Sequence, residues 1–210
     1  MLAVSRLQAA RDDRVLFTGL SFAMQSGDIL QIAGPNGTGK TTLLNRLVGL
    51  GGFDVGDVLW DNHPVNDDPV AFRRRFSYLG HNLGLKALLT PLENLAFLIR
   101  LRGLEVGVDE LMSALERVGL AGYEDVPVAH LSAGQKRRVG IARLFLEKSP
   151  LWVLDEPFTA IDQAGVRALE GWLVEHARNG GMIVLTTHHI FPGTFPLRRL
   201  DLSDYCPEAH

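Results

Sequence analysis

The sequence predicts an α/β fold with a mostly parallel core sheet, an antiparallel β-subdomain and a helical subdomain. Apolar runs at residues 29–33, 151–154 and 182–185 are typical of buried parallel strands, and helical patterns lie between them. Residues 1–32 carry strand patterns with no helix between them, which indicates antiparallel pairing. Residues 91–148 instead carry apolar side chains at helical spacing, which indicates a helical insert.

Length and composition favour one globular domain over residues 1–210. The chain is 46% hydrophobic, its net charge is −3, and the basic run at 73–75 is expected to be a solvated helix face. This charge predicts no nucleic-acid partner. No apolar run is long enough to span a bilayer, and the N-terminus lacks the plan of a signal peptide. The single cysteine, Cys206, excludes an intrachain disulfide framework and fits a reducing compartment. We therefore expect a cytosolic protein that reaches a membrane only through a partner.

The N-terminal strands are expected to be short, with a turn at 11–14. Leu20, Phe22 and Met24 alternate with polar or small residues, as in a half-buried strand. A turn at 26–28 then leads into the first core strand.

A glycine-rich loop follows that strand and opens a helix. It consists of Gly34, Pro35, Asn36, Gly37, Thr38, Gly39, Lys40 and Thr41, and Thr42 continues it. Glycines let backbone N–H groups converge on one point, and the helix N-terminus adds partial positive charge there. Lys40 can reach the β- and γ-phosphates of a nucleotide, and the Thr41 hydroxyl can hold Mg²⁺. This strand, loop and helix predict a site for a nucleoside triphosphate.

The middle of the chain is expected to hold short strands at 58–60 and 76–80, followed by three helices. The first helix begins near Pro91, with Thr90 as its N-cap and Glu93 three residues later. The second covers 109–119 and the third 132–148, so the helical subdomain extends over about 82–150. A helix at about 163–178 and a last edge strand at 197–202 complete the core.

Two carboxylates, Asp155 and Glu156, end the apolar strand at 151–154. The carboxyl ends of parallel strands form the crevice where α/β sheets bind ligands. Asp155 suits the shell of Mg²⁺, and Glu156 suits the orientation or deprotonation of an attacking water. Two solvated acids are the alternative, which the neighbouring phosphate loop disfavours.

The sequence Ser132-Ala133-Gly134-Gln135 forms a capping box, since Ser132 precedes a helix and Gln135 follows it by three positions. A helix N-terminus with a hydroxyl and a glycine is also a second phosphate site. One chain already has its phosphate loop, so the second cradle indicates that nucleotide is shared across a dimer.

Together these motifs resemble the ATP-binding subunit of ABC transporters over nearly the whole chain. GPNGTGKT at 34–41 resembles Walker A, LSAGQ at 131–135 the ABC signature with Ala133 in place of the usual glycine, and LWVLDE at 151–156 Walker B. FTAID at 158–162 resembles the D-loop, and His188 the switch histidine. The resemblance implies a P-loop NTPase fold of the ABC ATPase type.

The resemblance further implies a head-to-tail homodimer that encloses two ATP with Mg²⁺. Ser132, Gly134 and Gln135 of one subunit would contact the ATP held by Lys40 of the other. Glu156, His188 and Lys40 would be catalytic, with His188 hydrogen-bonded to the γ-phosphate. Asp162 would couple the two sites.

Two positions depart from the family pattern. His81 stands where a glutamine usually contacts Mg²⁺ and water, and Asn82 is the alternative source of an amide. Arg11 stands where an aromatic residue usually stacks on adenine. A guanidinium can stack on a base, or Phe17 can substitute from nearby.

The runs YLGHNLGLK, LSAGQKRRVGIARL and LDEPFTAID followed by TTHH are more narrowly similar to the ATP-binding subunit of the bacterial cytochrome c maturation system, usually described as a haem exporter. This resemblance implies a peripheral protein on the cytoplasmic face of the inner membrane, bound to integral-membrane subunits. ATP hydrolysis would be coupled to haem export or to release of haem from its chaperone, so this subunit would meet haem only indirectly. Apolar residues at 83–89 would receive a helix of the membrane partner, or form ordinary core. Cys206 and His210 could ligate haem, although a disordered tail is the favoured interpretation.

Other functions remain open at the level of the sequence. The chain could serve another small ABC exporter, or be a soluble ABC ATPase acting on ribosomes or DNA, although it has no tandem ABC domain and no basic surface. A P-loop kinase for a small molecule is the third alternative, and the signature helix and the Asp155–Glu156 pair argue against it.

Overall fold

The computed structural model describes residues 1–11, 14–51 and 55–207. It contains a four-stranded antiparallel sheet and a five-stranded parallel sheet, flanked by six α-helices within those residues. The predicted α/β class, with a mostly parallel core and an antiparallel β-subdomain, is confirmed. The predicted turn at 11–14 and the residues around 52–54 lie partly outside the described residues.

The antiparallel sheet is built from the N-terminal part of the chain. Its strands are β1 (Leu2–Arg11), β2 (Arg14–Met24), β4 (Val55–Trp60) and β5 (His63–Pro64), in the order β2-β1-β4-β5. The first two strands are long rather than short as predicted. Register shifts along β1 interrupt the alternation of buried and exposed residues, so one long strand has the pattern of several short ones.

One of these irregularities requires a glycine. Gly56 has a φ of +94°, and a β-carbon there would lie 2.5 Å from the carbonyl oxygen of Ser5 on the neighbouring strand. A larger residue at position 56 would therefore separate β4 from β1.

The parallel sheet holds the predicted core strands. Its members are β3 (Ile29–Ala33), β6 (Phe76–Leu79), β7 (Leu151–Asp155), β8 (Met182–Thr186) and β9 (Arg198–Asp201), in the order β6-β7-β8-β3-β9. Every pairing between them is parallel. The last strand lies at the edge of the sheet, beside β3, where the sequence predicts an edge strand.

The helices are α1 (Lys40–Leu47), α2 (Pro69–Arg73), α3 (Pro91–Leu101), α4 (Val108–Arg117), α5 (Ala133–Glu147) and α6 (Gln163–Arg178). The sequence predicts helices near 91, at 109–119, at 132–148 and at about 163–178, and the structure has a helix close to each of these positions, whereas α2 has no predicted limits. Thr90 and Glu93 form the predicted capping box of α3. Helices α3, α4 and α5 lie inside the predicted insert, and its limits of 82–150 within a single domain stay a prediction.

The parallel sheet separates two apolar clusters. Leu151 and Val153 of β7 face the side that also contains α1 and the antiparallel sheet. Trp152 and Leu154 face the opposite side, which contains α3 to α6. β7 runs parallel to β8, and β8 runs parallel to β3, which α1 follows in the chain. The carboxyl end of β7 therefore lies at the same edge of the sheet as the start of α1. Among the described residues, no helix combines the length and the apolarity that a membrane span requires.

Candidate nucleotide site

A cavity of about 690 Å³ lies between the glycine-rich loop, the end of β7 and the antiparallel sheet. It brings together predicted site residues that are far apart in the sequence: Arg11, Asn36, Gly37, Gly39, Lys40, Thr41, Thr42, Asp155, Glu156 and His188. Its size is within the range of small-molecule sites. Arg14, Leu16 and Thr159 also line it, although the sequence analysis does not single them out.

The loop at 34–39 depends on glycines in the left-handed region. Gly37 has a φ of +85° and Gly39 a φ of +98°, and Gly39 is the residue before α1. A β-carbon at Gly39 would lie 3.1 Å from the Leu16 side chain, so the loop packs directly on β2. The first turn of α1 contains no acidic residue. No acidic side chain of that turn therefore competes for its N–H groups, which can hold an anion.

Lys40 is held at the mouth of this loop by backbone oxygens. Its Nζ donates to the carbonyl of Gly34 at 2.7 Å and to that of Pro35 at 3.0 Å. An ammonium that hydrogen-bonds neutral carbonyls is stabilised less than an ammonium paired with an anionic oxygen. The Lys40 ammonium can therefore exchange these carbonyls for the oxygens of a phosphate group.

Thr41 and Asp155 meet across the cavity floor. The Thr41 hydroxyl donates to Asp155 Oδ2 at 2.9 Å, and the Thr186 hydroxyl donates to Asp155 Oδ1 at 2.6 Å. Asp155 is 5% exposed, so its carboxylate is fixed by these two hydroxyls. A hydroxyl and a carboxylate suit Mg²⁺, which prefers few protein ligands together with water and phosphate oxygens. The described residues contain no group of three acidic, histidine or cysteine side chains that could hold a metal alone.

Glu156 leaves the line of β7 through a left-handed backbone, with a φ of +49°. Its N–H donates to the Thr186 carbonyl at 3.1 Å, and its carboxylate accepts from the backbone N–H of His188 at 3.3 Å. His188 Nε2 lies 3.7 Å from Glu156 Oε1. Backbone strain of this kind is typical of functional positions. The structure thus brings the predicted base and the predicted switch histidine side by side.

Arg137 holds the backbone of both carboxylate residues, a role that none of the sequence motifs predicts. The guanidinium donates to the carbonyls of Gly80 at 2.9 Å, Asp155 at 2.6 Å and Glu156 at 2.8 Å. Burial lowers the pKa of this group, while the nearby charges of Asp155 and Glu156 oppose that shift. A signal was available, since Arg137 lies four and seven residues before the buried Ile141 and Leu144, on the same helix face.

Replacing Arg137 with methionine is expected to lower the free energy of unfolding by about 2–4 kcal/mol, because the carbonyls of Gly80, Asp155, Glu156 and Pro157 lose a charged donor. At temperatures where the variant is folded, kcat should also fall, since Glu156 loses the contact that fixes its backbone. Urea unfolding and steady-state ATPase assays measure both effects. Arg137→Lys keeps the charge but not the forked guanidinium. Its free energy of unfolding and its kcat should lie between those of the wild type and of Arg137→Met. Wild-type kcat in Arg137→Met would contradict this role.

The Ser132 motif lies outside the lining of this cavity. Ser132 and Gln135 form the predicted capping box at the start of α5, and Ser132 is exposed. A β-carbon at Gly134 would overlap the carbonyl oxygen of Ala160, so the glycine lets α5 approach the loop after β7. Asp162 caps α6 and pairs with Arg138, whose hydrogen bond lowers the pKa of the Asp162 carboxyl. These residues have local roles within the chain and keep a predicted role toward a second subunit.

His81 is exposed and is not among the described residues that line the cavity. Asn82 Oδ1 accepts from the Gly84 N–H at 2.9 Å, so the oxygen of its amide is engaged in a local turn. The preceding residue, Gly80, is held by Arg137. The segment is therefore attached to the site through its backbone, and the Mg²⁺ role of His81 stays a prediction.

Replacing His81 with glutamine is expected to leave kcat within about threefold of the wild type, since the longer amide suits a metal or water ligand. Steady-state ATPase assays at several Mg²⁺ concentrations measure the effect. A loss as large as that of Glu156→Gln would show that the imidazole has a role of its own.

The alternative base-stacking residue is excluded by burial. Phe17 is 0% exposed and packs beneath the glycine-rich loop, so it cannot stack on a base. Leu16, its neighbour, lines the cavity together with Arg11. Arg11 as the stacking residue stays a prediction.

The two remaining predictions concern the surface. Leu88 is 89% exposed, whereas Leu83 and Leu85 are partly buried against the core, so the segment at 83–89 is both surface and core. Cys206 lies beside the carbonyl of Leu202, with 3.5 Å between Sγ and the oxygen, and His210 lies outside the described residues.

A phosphate loop, a hydroxyl–carboxylate pair and a strained glutamate at the end of a parallel strand, with an antiparallel sheet and a helical layer, define an ABC-type ATPase. The chain belongs to the ABC transporter family of ATP-binding proteins, whose sequence profile matches residues 17–159.

Similar proteins agree with this assignment. The chain is 49% identical over 205 residues to the cytochrome c biogenesis ATP-binding export protein CcmA of Vibrio cholerae, an alignment that covers 97% of this chain and 99% of that protein. It is 50% identical over 202 residues to the protein of the same description from Hahella chejuensis, covering 96% and 95%. The kinase alternative is therefore not favoured.

Solved structures share the fold. The ATP-binding subunit of an ABC transporter matches with a TM-score of 0.81 and 28% identity, over 90% of this chain and 79% of that one. An ABC transporter ATP-binding protein from Pyrococcus furiosus matches with a TM-score of 0.85, over 98% and 99%, and at 22% identity it shows the fold alone. A bacterial ABC transporter cassette described as dimeric matches with a TM-score of 0.80 and 25% identity, over 96% and 95%.

Proposed function

We propose that this chain is the ATP-hydrolysing subunit of a membrane complex in cytochrome c biogenesis, and that it acts on the cytoplasmic face of a bacterial inner membrane. The observation that carries the proposal is identity of 49% over nearly the whole length of both this chain and a relative with that description. A shared nucleotide site alone would support only an ABC ATPase.

The active form is a homodimer in which each ATP lies between two chains. In this chain the phosphate loop and the Ser132 helix start are both intact, yet Ser132 does not line the cavity of its own chain. A second copy placed head to tail would bring Ser132 and Gly134 to that cavity. The dimeric description of a similar cassette supports this arrangement.

Within such a site each side chain has a defined task. Lys40 leaves the carbonyls of Gly34 and Pro35 and pairs with the β- and γ-phosphates. Thr41 and Asp155, now hydrogen-bonded to each other, would hold Mg²⁺, and the ion would supply positive charge near the phosphate oxygens. Glu156 orients the attacking water and accepts its proton. His188, beside Glu156, donates to the γ-phosphate oxygen and so marks whether that phosphate is present.

Arg137 connects the residues proposed to hydrolyse ATP to the segment proposed to contact the membrane partner. The guanidinium holds the carbonyls of Asp155 and Glu156, and also that of Gly80 at the start of the 81–90 segment. Leu88 in that segment is 89% exposed. An apolar side chain at such a position is suited to contact an amphipathic helix of an integral-membrane subunit. In this proposal haem binds to that partner and not to this chain.

Recovery of the tagged chain from detergent-solubilised membranes tests the proposal. The wild type should recover integral-membrane subunits that handle haem, and Leu88→Glu should lose them while soluble ATPase activity is kept. Val55→Glu, at a 54% exposed position on the antiparallel sheet, is the matched control and should recover the same subunits.

Other partners would overturn the proposal. Recovery of ribosomes or nucleic acid alone would favour a soluble ABC ATPase. Recovery of membrane subunits unrelated to haem would favour another small exporter.

A further inference from the structure

The histidine after the switch histidine, His189, is directed away from solvent and into the protein. Its ring stacks on Phe158, with 4.5 Å between ring centroids and 29° between planes, and meets Phe191 edge-on at 4.9 Å. Its Nε2 hydrogen-bonds Glu170 Oε1 of α6 at 2.8 Å. The two side chains are 23% and 18% exposed, so this is a partly desolvated contact rather than a surface pair.

Phe158 belongs to the loop between Glu156 and α6, and this loop reaches two functional regions. Thr159, the next residue, donates its N–H to the Glu156 carbonyl at 3.2 Å and lines the nucleotide cavity. Ala160 follows, and its carbonyl lies against Gly134 in the helix start that we assign to the second subunit's ATP. A change in the position of Phe158 would therefore move both Thr159, at the nucleotide cavity, and Ala160, at Gly134.

His189 is also joined to the chemistry through the backbone. The N–H of His188 donates to the Glu156 carboxylate at 3.3 Å, and the N–H of His189 donates to the Thr187 hydroxyl at 2.9 Å. His188 and His189 are joined by one peptide unit, so a contact that holds His189 also restricts the backbone of His188. The bond to Glu170 fixes the ring against α6, a helix of 16 residues.

We propose that His189, held by Glu170, is a positioning residue that locks the switch histidine to the loop at 157–161. It is not among the residues that line the nucleotide cavity. Its ring joins three segments, the end of β8, the loop after β7, and α6, so that His188, Glu156 and Ala160 keep one relative arrangement. The effect on a second subunit rests on the proposed homodimer, whereas the effect on His188 and Glu156 lies within one chain.

Steady-state kinetics of His189→Leu and Glu170→Leu test the proposal. Each is expected to lower kcat by about 2- to 30-fold, the range found for residues that act through others. The KM for ATP should change by less than about twofold, because neither residue is in the lining of the nucleotide cavity. The double variant should be no slower than the slower single one, since both remove one contact. Glu170→Gln keeps an acceptor for the ring and should retain most of the activity.

His176→Leu is the matched control for loss of packing. That histidine also lies on α6 and also stacks on an aromatic ring, that of Trp152 at 3.9 Å, but it lines a different cavity from the nucleotide. It should lower the melting temperature and leave kcat unchanged. An unchanged kcat in His189→Leu, an equal loss in His176→Leu, or additive effects of the two partners would overturn the proposal.

Hydrogen exchange without nucleotide separates this proposal from the proposed function. His189→Leu should raise exchange in residues 157–162 and leave residues 34–41 as in the wild type. This measurement requires neither a dimer nor a membrane partner. Its result therefore tests the role of His189 even if the proposed dimer or the proposed partner is wrong. Unchanged exchange at 157–162 would show that His189 does not hold the loop.

Discussion

Replacing Glu156 with glutamine is expected to stop turnover while ATP remains bound. The amide cannot accept the proton of the attacking water, and loss of a general base lowers rates by about 10²- to 10⁴-fold. The contacts assigned to ATP, those of Lys40, Thr41 and the first turn of α1, are untouched. Because bound ATP is not consumed, the proposed dimer should persist long enough to be isolated.

Single-turnover kinetics and bound-nucleotide analysis measure this outcome. Glu175→Gln is the matched control, because that carboxylate is exposed, pairs with Arg117 and lies outside the nucleotide cavity. The control should turn over as the wild type does. A Glu156→Gln protein that hydrolyses ATP at the wild-type rate would remove this carboxylate from the mechanism.

Replacing Lys40 with alanine is expected to abolish hydrolysis by weakening both binding and chemistry. The side chain is the one cation that the structure places at the mouth of the phosphate loop, among the residues described at 34–42. Removing a charged donor to a transferring phosphoryl group costs about 10²- to 10³-fold in kcat, and the KM for ATP should rise as well.

Steady-state assays over a wide range of ATP concentrations separate the two effects of Lys40→Ala. Lys148→Asn is a suitable control, since Lys148 has a φ of +49°, which asparagine tolerates, and pairs only weakly with Glu110 at 3.5 Å. Turnover retained in Lys40→Ala at saturating ATP would exclude the lysine from the chemistry.

Local signals predict much of this fold. Thr90 with Glu93 and Ser132 with Gln135 mark the starts of α3 and α5, because a capping box is a contact between residues three apart. The buried parallel strands are equally visible, since both of their faces are apolar. The lengths of β1 and β2 were not predictable, because their register shifts depend on the partner strand.

The site residues are predictable where they belong to one contiguous motif. Prediction fails where a contact joins residues that are distant in the sequence. Arg137 lies 57 positions from Gly80, whose carbonyl it holds, and within a basic run its burial is not evident from residue type. Phe17 illustrates the opposite error, because an aromatic residue near the cavity has the chemistry for stacking and yet lies wholly in the core. Both depend on which face of an element is covered by another part of the chain.

In the proposed homodimer, ATP bound by one chain is enclosed by the Ser132 helix start of a second. Combining Ser132→Arg with Glu156→Gln tests it by light scattering with ATP present. Thr90→Arg in the same Glu156→Gln chain is the control, because it removes an equivalent capping box away from the proposed interface.

We predict an ATP-dependent dimer with two bound nucleotides for Glu156→Gln, alone or with Thr90→Arg. With Ser132→Arg we predict monomers that each still bind ATP. A dimer that forms equally well with Ser132→Arg would show that the Ser132 helix start does not enclose the ATP of a second chain.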